Sequence, residues 1–463
     1  MNIALRAACE AAGARTVGEV PLDEPLAIST DTRTLAPGDA FVALRGERFD
    51  GHDYVARAFA AGARVAVVDD ASVLPPGAPG LVVHDTTRAY VAFGAVARAR
   101  SAARTVAITG SAGKTTTKAF LAQVLERVQT GRMVATPANE NNEIGVAKLL
   151  LGLPADAAFA VVEIGARHFG EIAPLARAAA PETAILTNIG DAHLEIFGSH
   201  ERLAETKWGI FATGARRVLC ATDARSMERA ARARDGVAVT FFALDALPPE
   251  AREGAAVVLH GRDRLTVRAA DGATRSFATA VAVPGDHNLH NAVAAAAAAF
   301  DLGFDGESIA AALASLALPS GRYERIVLGE IALLHDAYNA SMSGTLATLA
   351  SFAREPARRR IAVLGSMAEL GAEAAAMHAR VGGAAAASEV DVLLVGGEHA
   401  NDLADGARAA GFDASRIVPF AANADVVAWL RANARAGDLV LLKASRRYKL
   451  EEIVEGLRSV HAG

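Results

Sequence analysis

The chain has 463 residues, 52% of them apolar and 21% charged, with a formal net charge of −5. That length exceeds one ordinary hydrophobic core, so several domains are expected, and the acidic balance gives no electrostatic reason to expect a nucleic-acid partner. The two cysteines, Cys9 and Cys220, lie far apart, which speaks against a disulfide framework and fits a reducing cytoplasm; the opening residues lack the form of a signal peptide, and no long uncharged apolar run predicts a membrane span.

Short apolar runs alternate with longer helical patterns, which predicts an α/β fold. Strands are expected at 25–29, 39–44, 64–69 and 80–84, followed by a helix over 86–103. A β-branched run at 105–109 enters a glycine-rich turn, and further strands are expected at 158–163 and 183–188. The stretch 217–283 reads as β-rich and irregular, and the alanines at 292–299 as a packed helix too short to cross a membrane. The alanine clusters at 373–376 and 384–387 also read as helix. A linker is expected near 317, then strands near 330–335, 360–364, 391–395, 416–419 and 438–442. This predicts three domains, 1–100, 101–317 and 318–463, the last a second doubly wound unit.

The turn reads Thr109, Gly110, Ser111, Ala112, Gly113, Lys114, Thr115, Thr116. N–H groups at a helix start point at anions, and the helix dipole favours negative charge there. Lys114 can reach outer phosphates and the Thr115 hydroxyl can meet a magnesium ion. Two more strands end in useful residues, one in Glu163 and one in the run Asn188 to His193. Ligands bind beyond the carboxyl ends of parallel strands, so these groups are expected around a nucleoside triphosphate. Taken singly, Glu163 also reads as a solvated strand end, His193 as an ordinary histidine and Lys207 as a helix-surface lysine.

At these residues the chain resembles the Mur ligases, ATP-dependent enzymes that add amino acids to a UDP-linked muramic acid in cell-wall synthesis. The phosphate turn, the element Asn139–Gly145 with Asn141 and Asn142, the block around Glu163 and the block Thr187–Glu195 all match family motifs. Within the family the blocks look most like the branch that adds D-alanyl-D-alanine. The resemblance implies a uridine-binding N-terminal domain, a central P-loop ATPase-like domain and a C-terminal Rossmann-like domain. It implies ATP as cofactor, with Lys114 on its phosphates, and paired magnesium ions held by Thr115, Glu163, His193 and a carbamylated Lys207. A lysine must be neutral to react with carbon dioxide, so a depressed pKa is required of Lys207. Asn288, Asn291, Arg322 and Asp336 are expected to hold ATP. Without the resemblance, Asn288 reads equally as a helix N-cap. Ser29, Asp31, Arg33, Phe41, Gly46, Asp50 and His52 are expected on the uridine side. Asn141, Asn142, Tyr338, Asn339, Lys443, Ser445 and Arg446 are expected to meet the muramoyl peptide or the incoming D-amino-acid dipeptide. A cytoplasmic monomer is expected.

The chain departs from the family pattern where the amine should sit. Ser341-Met342 replaces Asn-Pro, Gly365-Ser366-Met367 replaces Gly-Asp-Met, Ala444 stands for a glycine after Lys443, and Ala147 for a proline. ATP chemistry is thus better supported than the acceptor. A paralogue joining a different amine to a different carboxylate, and a nucleotide-binding regulator without catalysis, are the alternatives. A Mur ligase adding diaminopimelate or lysine would carry an Asp-Asn-Pro-Arg motif, which is absent.

Overall fold

The computed structural model describes residues 2–46, 49–129, 131–138, 140–190, 197–368 and 370–458. In the N-terminal part a short ladder joins β1 (Ile3–Ala4) to β3 (Pro25–Leu26). A five-stranded sheet is ordered β2-β7-β6-β5-β4, with β2 at Arg15–Val17, β4 at Ile28–Ser29, β5 at Ala40–Val42, β6 at Val65–Val68 and β7 at Gly80–Val82. The strand expected at 25–29 is therefore two strands in different sheets, broken at Ala27. Strands β4 to β7 run parallel, and their buried Val and Ala side chains form cores on both faces. The helix Thr86–Ala99 follows, capped by the Asp85 side chain, which accepts from the Arg88 N–H.

The nine-stranded central sheet contains β8 (Arg104–Thr109), β9 (Arg132–Ala135), β10 (Ala157–Glu163), β11 (Thr183–Leu186), β12 (Arg216–Cys220), β13 (Val239–Leu244), β14 (Ala255–His260), β15 (Arg264–Arg268) and β16 (Thr274–Ala278), in the order β16-β15-β14-β13-β12-β11-β8-β10-β9. From β9 to β14 the pairs are parallel, and β14-β15-β16 is an antiparallel end. The β-rich reading of 217–283 resolves into these last five strands plus a helix, Ala224–Arg232. Strand β9 was not expected; its four residues, Arg-Met-Val-Ala, lie on the sheet edge and are largely half-buried, so they lack a strong apolar signal.

Strands β8, β10 and β11 are neighbours, with β8 in the middle. Their carboxyl ends therefore open on one corner. Alanine-rich packing sets the depth of that corner. Ala292 to Ala299 of the helix Asp286–Asp301 are all buried against Phe120, Leu121 and Val124 of the helix Lys114–Val128 and against the sheet. Small side chains let the two helices and the sheet approach closely.

The C-terminal sheet is ordered β17-β18-β22-β19-β20-β21, with β17 at Glu324–Leu328, β18 at Ile331–His335, β19 at Arg359–Gly365, β20 at Val392–Gly396, β21 at Ile417–Phe420 and β22 at Asp438–Lys443. All pairs except β17-β18 are parallel. The two alanine clusters beyond 373 belong to one helix, Ala374–Ala387. Among the described residues no helix is long and apolar enough to cross a membrane.

Candidate active site

Strand β8 delivers the chain into the turn Gly110–Gly113 and then into the helix that starts at Lys114. Gly110 has φ +152° and Gly113 φ +82°. A Cβ on Gly110 would lie 1.8 Å from Thr187 Oγ1, and one on Gly113 would lie 2.3 Å from Asn291 Oδ1. Both positions therefore need glycine. The end of β11 fastens the turn. The Ala112 N–H donates to Asn188 Oδ1 at 3.1 Å, and Thr187 Oγ1 donates to the Ala112 carbonyl at 2.6 Å. Ser111 Oγ accepts from the Gly190 N–H at 3.0 Å. Thr116 is buried in the first helical turn. Lys114 Nζ curls back to donate to the Gly110 carbonyl at 2.8 Å. Burial lowers the Lys114 pKa, and the Arg322 charge acts in the same direction against the opposing pull of Glu163.

Glu163, at the end of β10, is only 1% exposed, so it is not a solvated strand end. Its Oε1 accepts from Thr115 Oγ1 at 3.1 Å and from Asn141 Nδ2 at 2.8 Å. Lys118 Nζ forms an ion pair with Oε2 at 2.9 Å, yet that buried oxygen accepts no hydrogen bond among the described residues. A carboxylate with acceptor capacity to spare, beside a hydroxyl at the head of a phosphate-facing helix, fits a hard divalent cation. No group of three or more His, Cys, Asp or Glu with metal-binding geometry occurs among the described residues, so phosphate oxygens would have to complete such a site. His193 lies outside the described residues.

Lys207 is the clearest correction of a bland reading. It sits on the helix His200–Trp208 but is 1% exposed. Burial pushes its pKa well down, and the Lys114 charge adds to the shift. Its amine is therefore disposed to be neutral and nucleophilic. Asn288 is not an N-cap: Gly285 occupies that position, and Asn288 lies buried in the first turn with Nδ2 donating to the Pro284 carbonyl at 2.9 Å. Asn291 accepts from Thr117 Oγ1 at 3.3 Å and backs the phosphate turn at Gly113.

The C-terminal part closes over this corner. The Arg322 guanidinium lies 4.1 Å from the centroid of the Tyr338 ring, its buried Nε has no hydrogen-bond partner among the described residues, and its charge is felt at Lys114. His287 meets the Tyr323 ring edge-on at 5.0 Å and approaches Ser351 Oγ with Nδ1 at 3.1 Å. Asp336 faces inward: its Oδ2 accepts from Lys443 Nζ at 2.7 Å and Thr348 Oγ1 at 2.6 Å. Lys443 also donates to the Asn339 carbonyl at 3.1 Å. Ser445 is buried, and its Oγ accepts from the Ala368 N–H at 2.8 Å. Asp336, Lys443 and Ser445 thus brace the loops at the carboxyl ends of β18, β19 and β22. Arg446 stands at the surface, paired with Glu451 at 2.6 Å. The substitution Ala444 has a local counterpart, since its Cβ fills the space a Cβ on Gly365 would need, 2.6 Å away.

In the N-terminal sheet the expected residues gather at the carboxyl ends of β4 and β5. Ser29 Oγ donates to the Asp31 carbonyl at 3.1 Å, and Arg33 grips the Asp31 carboxylate, whose pKa falls to about 2 chiefly through that hydrogen bond. Asp50 accepts from the His52 N–H at 2.9 Å and from its Nδ1 at 2.6 Å. Gly46 accommodates the Phe49 ring, 2.8 Å from where a Cβ would stand. Phe41 is buried in the core under this sheet, packed with Leu35, Val55 and Val68, so only its backbone reaches the strand end.

Three family models match the chain: the Mur ligase family, catalytic domain over residues 27–127, the Mur ligase middle domain over 108–299 and the Mur ligase, glutamate ligase domain over 321–446. A relative from Synechocystis sp., a UDP-N-acetylmuramoyl-tripeptide--D-alanyl-D-alanine ligase, is 38% identical over 436 residues, covering 93% of this chain and 91% of its own. The chain belongs to the Mur ligase family. Solved Mur ligase structures agree. MurF from Acinetobacter baumannii superposes with a TM-score of 0.84 at 27% identity over 99% of each chain. MurF ligase from Thermotoga maritima in complex with ADP gives 0.78 at 26% identity, covering 94% of this chain and 97% of that one.

Within this Mur ligase, sequence reasoning missed residues that the corner depends on. Lys118 and Thr136 contact Glu163, the latter by accepting from the Glu163 N–H at 2.9 Å. Arg45 and Asp69 complete the His52 cluster, paired at 2.8 Å, with Arg45 also bonded to Asp50. Lys118 sits one turn beyond Lys114 on the same helix, so i, i+4 spacing was a usable signal. Nothing in the sequence marked Asp69 as a partner of Arg45.

Proposed function

We propose that this Mur ligase joins D-alanyl-D-alanine to a UDP-N-acetylmuramoyl tripeptide at the cost of ATP. The observation that carries the reading is the match over 93% of the chain, at 38% identity, to a relative named for that activity. No feature at Ser341, Met342 or Ala444 favours a different amine, since Ala444 is accommodated beside Gly365.

In the proposed reaction an oxygen of the tripeptide carboxylate attacks the γ-phosphorus of ATP. The bond to the bridging oxygen breaks, leaving ADP and an acyl phosphate. The dipeptide amine then attacks the acyl carbon, loses a proton, and inorganic phosphate departs. Lys114 and the N–H groups at the helix start hold the phosphates and oppose their charge. Thr115 and Glu163 would hold magnesium, which when bound offsets charge on the phosphates. Asn291 supports the turn, Asn288 and Arg322 lie on the nucleotide side, and the C-terminal part excludes water from the acyl phosphate. We assign residues 1–100 to the uridine part, 101–317 to ATP and 318–463 to the amine.

Lys207 is proposed to be carbamylated. Its neutral nitrogen forms a bond to the carbon of carbon dioxide and releases one proton, so a buried neutral amine becomes an anion able to serve a second magnesium ion with His193. A cytoplasmic monomer completes the reading.

The test is phosphate release with ATP, magnesium and UDP-N-acetylmuramoyl tripeptide, with and without D-alanyl-D-alanine, followed by mass analysis. Release that needs both substrates and yields the pentapeptide supports the proposal. ATP binding without product in either case overturns it. For Lys207, activity of protein stripped of carbon dioxide should fall and return on adding bicarbonate, whereas Lys207→Ala should not respond.

A further inference from the structure

The mechanism above leaves a buried cation beside Glu163 unused. Lys118 is 5% exposed, and its Nζ touches two groups: Glu163 Oε2 at 2.9 Å and the Ala138 carbonyl at 2.8 Å. Taking an ammonium and a carboxylate out of water is costly, and an apolar side chain could fill the same space. The pair therefore calls for an account beyond packing.

The second contact supplies it. Ala138 has φ +39°, a left-handed conformation that a non-glycine residue adopts only when its surroundings hold it there. The loop carrying Ala138 is fastened to Glu163 repeatedly. Thr136 Oγ1 accepts from the Glu163 N–H at 2.9 Å, and Asn141 Nδ2 donates to Glu163 Oε1 at 2.8 Å. The Gly165 N–H donates to the Asn141 carbonyl at 2.8 Å, and Asn142 caps the next helix through the Gly145 N–H at 3.0 Å. Among the described residues Lys118 is the charged side chain that bridges the carboxylate and the strained turn of this loop.

We propose that Lys118 is a positioning residue that ties the loop residues 136–138 and 140–142 to Glu163 and tempers the attraction of Glu163 for a divalent cation. Oε1 is held by Thr115 and Asn141, and the Lys118 charge stands beside Oε2, the oxygen with acceptor capacity to spare for a cation. The loop also sets Asn141 against Glu163 and Asn142 as the cap of the next helix, and in the proposed reaction this segment lies on the side of the nucleotide-linked peptide. The inference rests on Glu163 serving the cation of the proposed reaction.

The experiment compares wild type with Lys118→Met, which keeps the stem and removes the charge. Manganese(II) binding to the ADP-bound protein is read by electron paramagnetic resonance, beside steady-state KM for ATP and for the nucleotide-linked peptide. Loss of a cation so close to the ligand oxygen should tighten manganese(II) about tenfold. Release of the loop should raise KM for the nucleotide-linked peptide about tenfold, with KM for ATP moving less than about threefold. Adding Ala138→Gly to Lys118→Met should recover part of that KM, because glycine holds φ +39° unaided. A merely structural lysine would weaken both ligands together and lower Tm. Manganese(II) affinity equal to or weaker than wild type, or an unchanged KM for the nucleotide-linked peptide, overturns the proposal. Should Lys118→Met fail to fold, Lys118→Gln decides the matter by the manganese(II) measurement alone. That measurement needs no amine, so it stands even if D-alanyl-D-alanine proves not to be the acceptor.

Discussion

The two ends of the central sheet carry similar polar residues and use them in opposite ways. At the amino ends of the strands Arg104, Glu182, Thr183, Arg216 and Thr240 converge on Asp301, the last residue of the long alanine helix. Asp301 accepts from Thr183 Oγ1 at 2.6 Å, Arg216 Nε at 2.9 Å and Thr240 Oγ1 at 3.1 Å. Arg216 and Arg104 also donate to the helix-end carbonyls of Asp301 and Leu302, at 3.0 and 2.9 Å. Around Asp301 the polar atoms answer one another and the carbonyls of a helix end are satisfied, although Thr105 Oγ1 and Arg217 Nε nearby have no hydrogen-bond partner among the described residues. At the carboxyl ends, Arg322 Nε is buried without a hydrogen-bond partner among the described residues, Glu163 Oε2 is met only by the ion pair with Lys118, and Lys207 is buried with its charge disfavoured. Buried polar atoms left unanswered mark where a ligand is meant to answer them. The closed end secures the fold and the open end does chemistry.

Variants at the two ends should therefore fail differently. The largest effect is expected from Lys114→Met at the open end, a loss of about 10³-fold in kcat/KM by phosphate release, with little change in Tm. Its one internal bond, to the Gly110 carbonyl, is not needed to fold the sheet. Asp301→Ala at the closed end should do the reverse. Removing an acceptor that is 5% exposed strands Arg216 and two hydroxyls, and urea denaturation should register a loss of about 3–5 kcal/mol. The kcat/KM of the surviving folded protein should stay within about threefold of wild type. A loss of turnover as large as that of Lys114→Met would break the comparison.

Gly113→Ala sharpens it, since this site belongs to both fold and function. A Cβ there meets Asn291 Oδ1 at 2.3 Å with φ fixed at +82°. A stability loss of about 1–3 kcal/mol is expected, together with a rise in KM for ATP, because the displaced Asn291 backs the phosphate turn. Thermal melts with and without ADP should show a smaller ADP-induced rise in Tm than wild type.

The open end was far more legible in the sequence than the closed one. Lys114, Thr115 and Glu163 announce themselves because a glycine turn and apolar strands frame them, and parallel topology then brings their strand ends together. Lys207 was legible only through the family resemblance, since its helix has the composition of a surface helix and its burial depends on tertiary packing. Lys443 and Asp336 are expected as ligand contacts from the resemblance, but their pairing with each other across a long span of sequence was not legible. Asp301 and Arg216 escaped notice for the same reason: nothing local links residues on different strands until the sheet order is known. Edge strands β9 and β17 were missed because an edge needs no continuous apolar run.

The smallest expected effect concerns acid stability at the closed end. The Arg104 hydrogen bond, with Arg216 assisting against burial, lowers the Glu182 pKa from 4.5 to about 2. A carboxyl whose folded pKa lies below its unfolded value stabilises the fold fully above the unfolded pKa. That contribution is lost as pH falls through the folded value. Glu182 should therefore stabilise the protein at neutral pH and cease to do so between pH 4.5 and about 2. Glu182→Gln removes the titration, so urea midpoints of the variant should fall below wild type near pH 7 and converge with it toward pH 2. Partial exposure of both Glu182 and Arg104 keeps the difference small and makes it shrink in salt. A gap that persisted at pH 2 would assign the role of Glu182 to packing rather than charge, and would weaken the view of this end as a closed ionic network.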